Sequence, residues 1–148
     1  MNRRELLLGA AAMAAAATTG RAFAETHEHK HEHKHGAASK RNNALIKSSQ
    51  DCVTTGQICV HHCLEMMGEG DKSMAACAIS VSDLVAACST LQHLAAAESK
   101  HTVDMAKVVM KMCKECEEEC KKQDKHEECK ACGEACAACY KECKKIVG

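Results

Sequence analysis

Residues 129–143 read CKACGEACAACYKEC. Cysteine falls at Cys129, Cys132, Cys136, Cys139 and Cys143, in steps of 3, 4, 3 and 4. That alternation averages 3.5 residues, the period that holds one stripe of a helix against the seam of a bundle. The residues between, such as Lys130, Glu134 and Lys141, are polar and fall on the opposite face. The stretch therefore predicts an amphipathic helix whose inner face is made of thiols.

Upstream segments repeat the pattern. Met74, Cys77, Val81, Leu84, Cys88, Leu91 and Ala95 are spaced 3, 4, 3, 4, 3 and 4. Leu45, Cys52, Gly56, Cys59, Cys63 and Met66 share one phase, as do Ala106, Val109, Cys113, Cys116 and Cys120. Lys114, Glu117, Glu118 and Lys121 face outward on this reading. The spacing predicts helices over about 43–67, 73–97, 102–122 and 125–146. Gly68-Glu69-Gly70 ends the first, and Asp71 or Ser73 caps the second. No proline or β-branched run favours a strand, and short connections make sequential helices antiparallel neighbours. The expected fold is all-α, an antiparallel four-helix bundle over residues 42–148 with a cysteine-lined core. All thirteen cysteines fall on the four inner stripes.

Composition sharpens the question of what fills that core. Phe23 and Tyr140 are the only aromatic residues, and tryptophan is absent. Cores of this size normally draw much of their buried area from aromatic rings. The cysteine count is odd, so complete intramolecular pairing is impossible. The formal net charge is zero, which gives no electrostatic footprint for nucleic acid.

The first 24 residues, MNRRELLLGAAAMAAAATTGRAFA, place Arg3-Arg4 before an apolar run that ends in Ala22-Phe23-Ala24. This is the layout of a twin-arginine export signal cleaved after Ala24. It predicts a protein exported to the periplasm or to the lumen of internal membranes, with no membrane insertion after cleavage. Residues 25–41 follow as a polar, low-complexity tail in which His27, His29, His31, His33 and His35 alternate with charged residues. The expectation is a disordered tail with metal affinity. Cleavage would also create a Glu25-Thr26-His27 terminus, whose amine, two amides and imidazole suit square-planar Cu(II) or Ni(II).

Three chemistries compete for the thiols. Cysteine can act as a small core hydrophobe, but thirteen make a poor core beside so few Leu and Ile. Disulfides want Cβ atoms about 3.5–4.5 Å apart. Helical i,i+3 and i,i+4 neighbours have Cβ atoms about 5–6 Å apart, so bonds within a helix are strained while cross-helix bonds stay open. Metal is the third. Thiolates select Cu(I), Zn(II) or iron–sulfur clusters. Buried thiolates need counter-charge. A monovalent ion bridging two thiolates, each thiolate shared by two ions, balances the charges one to one. It also suits the pairs Cys59/Cys63, Cys116/Cys120, Cys132/Cys136 and Cys139/Cys143. Zinc prefers closed four-ligand sets, and Cys113, Cys116 and Cys120 lack the ferredoxin spacing with its following proline. An iron–sulfur or redox carrier and a zinc buffer remain the alternatives. No nucleophile–base–orienter set stands out, so the chain is read as no enzyme.

The two ends of the bundle differ. His62, Met66, Met67, Met74 and His126 gather where the first and third loops meet, and they suit a mouth with weaker Cu(I) ligands. Leu45, Leu91, Leu94, Val108, Val109, Met112 and Ile146 are expected to plug the other end. His61, His93 and His101 are read as surface or helix-end residues.

Five stretches carry a family resemblance. Cys59-x-x-His62-Cys63-x-x-Met66, Ser73-Met74-x-x-Cys77, Asp83-Leu84-Val85-Ala86-Ala87-Cys88, Lys107-Val108-Val109 and Glu128-Cys129-Lys130-Ala131-Cys132-Gly133-Glu134-Ala135-Cys136 resemble the exported bacterial copper storage proteins. The resemblance covers about residues 43–147 and the leader. It implies a four-helix bundle assembled as a homotetramer, with multiple Cu(I) ions per chain held mainly by cysteine. The implied ligands are Cys52, Cys59, Cys63, Cys77, Cys88, Cys113, Cys116, Cys120, Cys129, Cys132, Cys136, Cys139 and Cys143, with His62, Met66 and Met74 at the open end. Where the family pattern places another mouth methionine, this chain has Glu69. Delivery of copper to an enzyme is a further implication.

Overall fold

The computed structural model describes residues 37–148, with side chains from Asn42 onward. The expected leader, residues 1–24, and the five histidines at 27–35 lie outside the described residues. Four helices follow in order: α1 (Ala37–Gly68), α2 (Ala75–Ala96), α3 (Thr102–Lys121) and α4 (Glu127–Val147). A short 3-10 turn, Lys72–Met74, leads into α2. The expected bundle is present. One boundary differs: α1 begins at Ala37, so residues 37–41, read from the sequence as the end of the tail, belong to the helix. Ala37, Ala38, Lys40 and Arg41 are strong helix formers, and the polar, low-complexity run just before them had concealed that.

The first loop ends α1 through a glycine in the left-handed region. Gly70 has φ +103°. Its N–H donates to the Met67 carbonyl at 3.0 Å, and the Asp71 N–H donates to the Met66 carbonyl, also at 3.0 Å. This pair of bonds is a Schellman cap, which satisfies two orphan carbonyls. Asp71 then caps the 3-10 turn, its Oδ1 accepting from the Ser73 N–H at 3.0 Å. The long start of the second helix thus splits into a capped 3-10 turn and α2 proper.

The helices pack α1 on α2, α2 on α3, α3 on α4 and α4 on α1. Neither diagonal pair makes backbone contact, so a filled core separates them. Gly56 sets the α1–α2 approach. A Cβ there would lie 2.6 Å from Val85 Cγ2 and 3.3 Å from Val81 Cγ1. The α2 stripe is buried as expected, from Met74 through Ala95. The segment Lys72–Ala96 is long and apolar enough to cross a membrane by length and composition alone; in the fold, α2 is a wall of the bundle.

At the far end Leu45, Leu91, Ala95, Ala106 and Val109 are buried. Asn42 Nδ2 donates to the Ala95 carbonyl at 3.0 Å, and Thr102 Oγ1 to the Leu94 carbonyl at 3.1 Å. The plug is smaller than expected. Val108 is 47% exposed, one helical step off the inner stripe held by Val109. Leu94, Met112 and Ile146 are half-buried, and Met112 lines a groove on the outer side of α2 and α3.

Candidate metal centre

All thirteen cysteines are free and buried. They make up thirteen of the twenty-three buried apolar side chains among the described residues, so sulfur replaces the missing aromatic rings as core filling. The 3.5-residue stripes aim the thiols at one axis, and the four helices bring those stripes together.

The sulfurs form a connected column. Next to the first and third loops, Cys59, Cys63, Cys77 and Cys129 place their Sγ atoms within 4.8 Å of one another. Cys59, Cys120 and Cys132 form the next group, and Cys116, Cys132 and Cys136 the one after it. Cys52, Cys88, Cys113 and Cys139 form the group toward the far end, and Cys143 Sγ lies 4.0 Å from Cys139 Sγ. Within the first group Cys59 lies 3.7 Å from Cys129 and 4.0 Å from Cys77; Cys77 to Cys120 and Cys116 to Cys120, both at 3.9 Å, link it to the next two, and the side-chain contact between Cys52 and Cys136 joins the far group. Each C-x-x-x-C pair picked out from the sequence has its two sulfurs within a shared group or in contact.

Two metal–thiolate bonds of about 2.3 Å span at most about 4.6 Å. The spacings therefore admit one ion between neighbouring sulfurs. Two groups hold four thiols, the number a closed zinc site needs. The remaining groups hold three, however, and Cys59 and Cys132 each belong to two groups. Sharing of this kind favours bridging thiolates over isolated closed sites.

The array holds its protons against a medium that disfavours charge. Burial pushes the Cys63 thiol up to about 12 and the Cys129 thiol up to about 11. Deeper in the column, neighbours share protons. The hydrogen bond with Cys116 holds Cys132 far below the thiol range and raises Cys120. The hydrogen bond with Cys139 raises Cys113, while that with Cys113 lowers Cys139. A thiolate can persist where a neighbouring S–H donates to it. Full ionisation of the column calls for incoming positive charge.

The structure adds residues that the sequence reading passed over. Ser49 is fully buried on the α1 stripe between Leu45 and Cys52, with Oγ 3.9 Å from Cys139 Sγ. Its place in the 3-4 spacing was the available signal. Gln123 is buried, and its Nε2 donates to the Ser73 carbonyl at 3.0 Å, which ties the third loop to the 3-10 turn. No local pattern announces that bond.

At the mouth, Met74 is buried, Met66 half-buried, and Met67 36% exposed. His62 Nε2 and His126 Nδ1 are 2.9 Å apart. His62 Nδ1 lies 3.7 Å from Glu128 Oε2. The two imidazoles pack together, their ring centroids 4.6 Å apart. His61, His93 and His101 are exposed.

A bundle whose interior is a column of thiols defines a class: an all-helical container for soft metal ions. Comparison with known proteins narrows it. The profile of the copper storage protein family, Csp, matches residues 38–148; the chain belongs to that family. Among solved structures, the Cu(I)-bound copper storage protein BsCsp3 superposes with a TM-score of 0.68 at 23% identity, over 73% of this chain and 99% of that one. The apo form of Csp3, copper storage protein 3 from Bacillus subtilis, gives 0.65 at 23% identity, over 72% and 99%. At that identity the likeness shows the fold alone. No curated protein sequence matches.

Proposed function

We propose that this chain stores multiple Cu(I) ions along its axis, with the thirteen cysteines as ligands and the His/Met end as the way in. The observation that carries the reading is the sharing of sulfurs: Cys59 and Cys132 each join two groups. A bridging monovalent ion uses such sharing and balances one thiolate per ion, whereas an isolated, closed four-thiolate site makes no use of it. Met74, Met66 and the imidazoles of His62 and His126 supply softer or neutral donors at the mouth, where an ion can bind without first displacing a proton from a thiol. The role is storage, with no catalysis assigned.

Anaerobic titration of the reduced protein with Cu(I) against a competing chelator tests this. Uptake near one ion per thiol, with absorption confined to the ultraviolet, supports it. Saturation at one or two ions per chain refutes it. Zinc buffering is the second reading, favoured by the two four-thiol groups; it predicts about two tightly held Zn(II) ions per chain in the protein as isolated, with no copper.

Three further parts of the proposal rest on the sequence. Export by the twin-arginine route would leave Glu25 as the first residue, which N-terminal sequencing of the mature protein checks. Homotetramer assembly follows from the family resemblance and is read by sedimentation. Handing copper to a recipient enzyme would show as metal transfer to a copper-free oxidase or oxygenase in a mixed assay.

A further inference from the structure

Gly133 stands inside α4, and nothing in the backbone asks for it there. Its φ is not in the left-handed region, where only Gly70 and Gly148 lie among the described glycines. Packing does not ask for it either. A Cβ at Gly133 would meet Cys120 Cβ at 3.4 Å, an ordinary contact, whereas one at Gly56 would be driven into Val85. Glycine inside a helix destabilises it relative to alanine. What its missing side chain does provide is an opening in the wall.

A groove of about 210 Å³ passes over Gly133 between α3 and α4. Ala137, one turn on, continues its floor, and the buried thiols Cys120 and Cys129 line it. His62, Met66, Met74 and His126 do not border it, so it approaches the column through the side of the bundle and not through the mouth. Cys129 belongs to the first thiol group and Cys120 to the second, and Cys59 is common to both. The groove thus meets the column where two groups join.

The rim carries both signs of charge. Lys121 and Glu117 neutralise each other at 2.7 Å. Lys130, Asp124 and Glu134 enter none of the ion pairs among the described residues. A ligand with a carboxylate for Lys130 and an ammonium for Asp124 and Glu134 matches them. The volume lies below the about 300 Å³ at which drug-sized sites begin, which suits a solute the size of one amino acid. Acting on copper held by the floor takes a soft donor.

We infer that this groove is a side port at which a small zwitterionic thiol, the size of one amino acid, docks and draws Cu(I) from Cys120 and Cys129. The step is ligand exchange. The incoming sulfur forms a bond to copper, the bond from copper to Cys120 Sγ breaks, and the proton of the incoming thiol passes to Cys120. A second thiol repeats the exchange at the other protein sulfur and frees the ion as a bis-thiolate complex. Copper stays Cu(I) throughout. The port rests on the Cu(I) storage reading and gives the store a way out.

The full reduced chain is first loaded anaerobically with Cu(I) to its thiol capacity. Failure there sinks the storage reading and the port with it; a chain that loads lets the port fail alone. Transfer of copper to a bulky chromophoric chelator is then followed with and without L-cysteine. Wild type is expected to transfer faster with L-cysteine, at a rate that saturates as the thiol rises. L-serine keeps both charges and lacks the thiol, so a large excess is expected to suppress that acceleration. Gly133→Leu fills the groove and is expected to lose the acceleration while keeping the capacity and the thiol-free rate. Lys130→Glu removes one charge-assisted bond and is expected to cut the acceleration by L-cysteine roughly tenfold, leaving that by neutral 2-mercaptoethanol unchanged. No acceleration, a rate linear in L-cysteine and untouched by L-serine, or full acceleration in Gly133→Leu overturns the port. Where Gly133→Leu fails to load, saturation and competition in the wild type decide.

Discussion

Cys59 and Cys143 are both fully buried, and both are free thiols, yet their replacement by serine is expected to have different effects. Cys143 contacts one sulfur, Cys139, at the end of the column. Cys59 belongs to the group with Cys63, Cys77 and Cys129 and to the group with Cys120 and Cys132. If each Cu(I) bridges two thiolates, losing a terminal thiol removes one bridge, and losing a junction thiol removes the bridges on both sides. Cys143→Ser should therefore bind about one ion fewer than wild type, and Cys59→Ser about two fewer. A hydroxyl buried in place of either thiol costs roughly 1–3 kcal/mol if left unpaired, a similar penalty at both sites that does not alter the comparison. The assay is anaerobic titration with a chelator competing for Cu(I), with total copper and protein measured after desalting. Equal losses in the two variants would refute the shared-bridge argument, and an unchanged capacity in Cys59→Ser would refute its place in the column.

Other outcomes follow from the same geometry. Ser49→Cys should extend the column beside Cys139 and raise Cu(I) capacity by about one ion, read in the same titration. Gly56→Ala drives a Cβ to 2.6 Å from Val85 Cγ2; overpacking of about 1–3 kcal/mol, less about 1 kcal/mol of helix propensity, leaves a net destabilisation of the apo bundle in chemical denaturation. Cys63 and Cys129 hold their protons up to about 12 and about 11 in the fold, against 9.0 for the unperturbed thiol. Their contribution to stability is thus complete below pH 9 and is lost as pH rises through 11–12. Circular dichroism melts of the reduced apo protein should show Tm falling over that window, and a rise there would contradict the burial of these thiols. Gln123→Ala breaks the 3.0 Å bond to the Ser73 carbonyl and should lower stability by about 1 kcal/mol while speeding Cu(I) uptake in stopped-flow measurements.

The inner stripes were legible because cysteine, unlike leucine, is rare enough for its spacing to be read without ambiguity. Every thiol placed inward from the 3-4 pattern is buried, and the α2 stripe from Met74 to Ala95 holds without exception. What escaped was of two kinds. Ser49 was passed over, and Val108 and the start of α1 were misjudged, because residue type overrode position: a serine on the stripe is buried, a valine one step off it is exposed, and a polar run still forms helix. The residues of the mouth were foreseen, but their contacts escaped for a different reason. The contact between His62 and His126 joins residues 64 apart, and the Gln123–Ser73 bond joins residues 50 apart. Periodicity places such residues at one end of the bundle and says nothing of which nitrogen meets which. The column says nothing of how chains assemble or where the chain resides.

The double membership of Cys59 and Cys132 has a consequence for how such a store behaves as a buffer. An ion bound at one point leaves its bridging sulfur with a vacancy already ionised for the next, so each addition lowers the cost of its neighbour. Thirteen independent sites would fill over a broad span of free copper; a string with shared sulfurs fills over a narrow one. Under the proposed storage role the isotherm would approach a step, with the concentration of unbound metal outside nearly constant while the content of the chain changes severalfold.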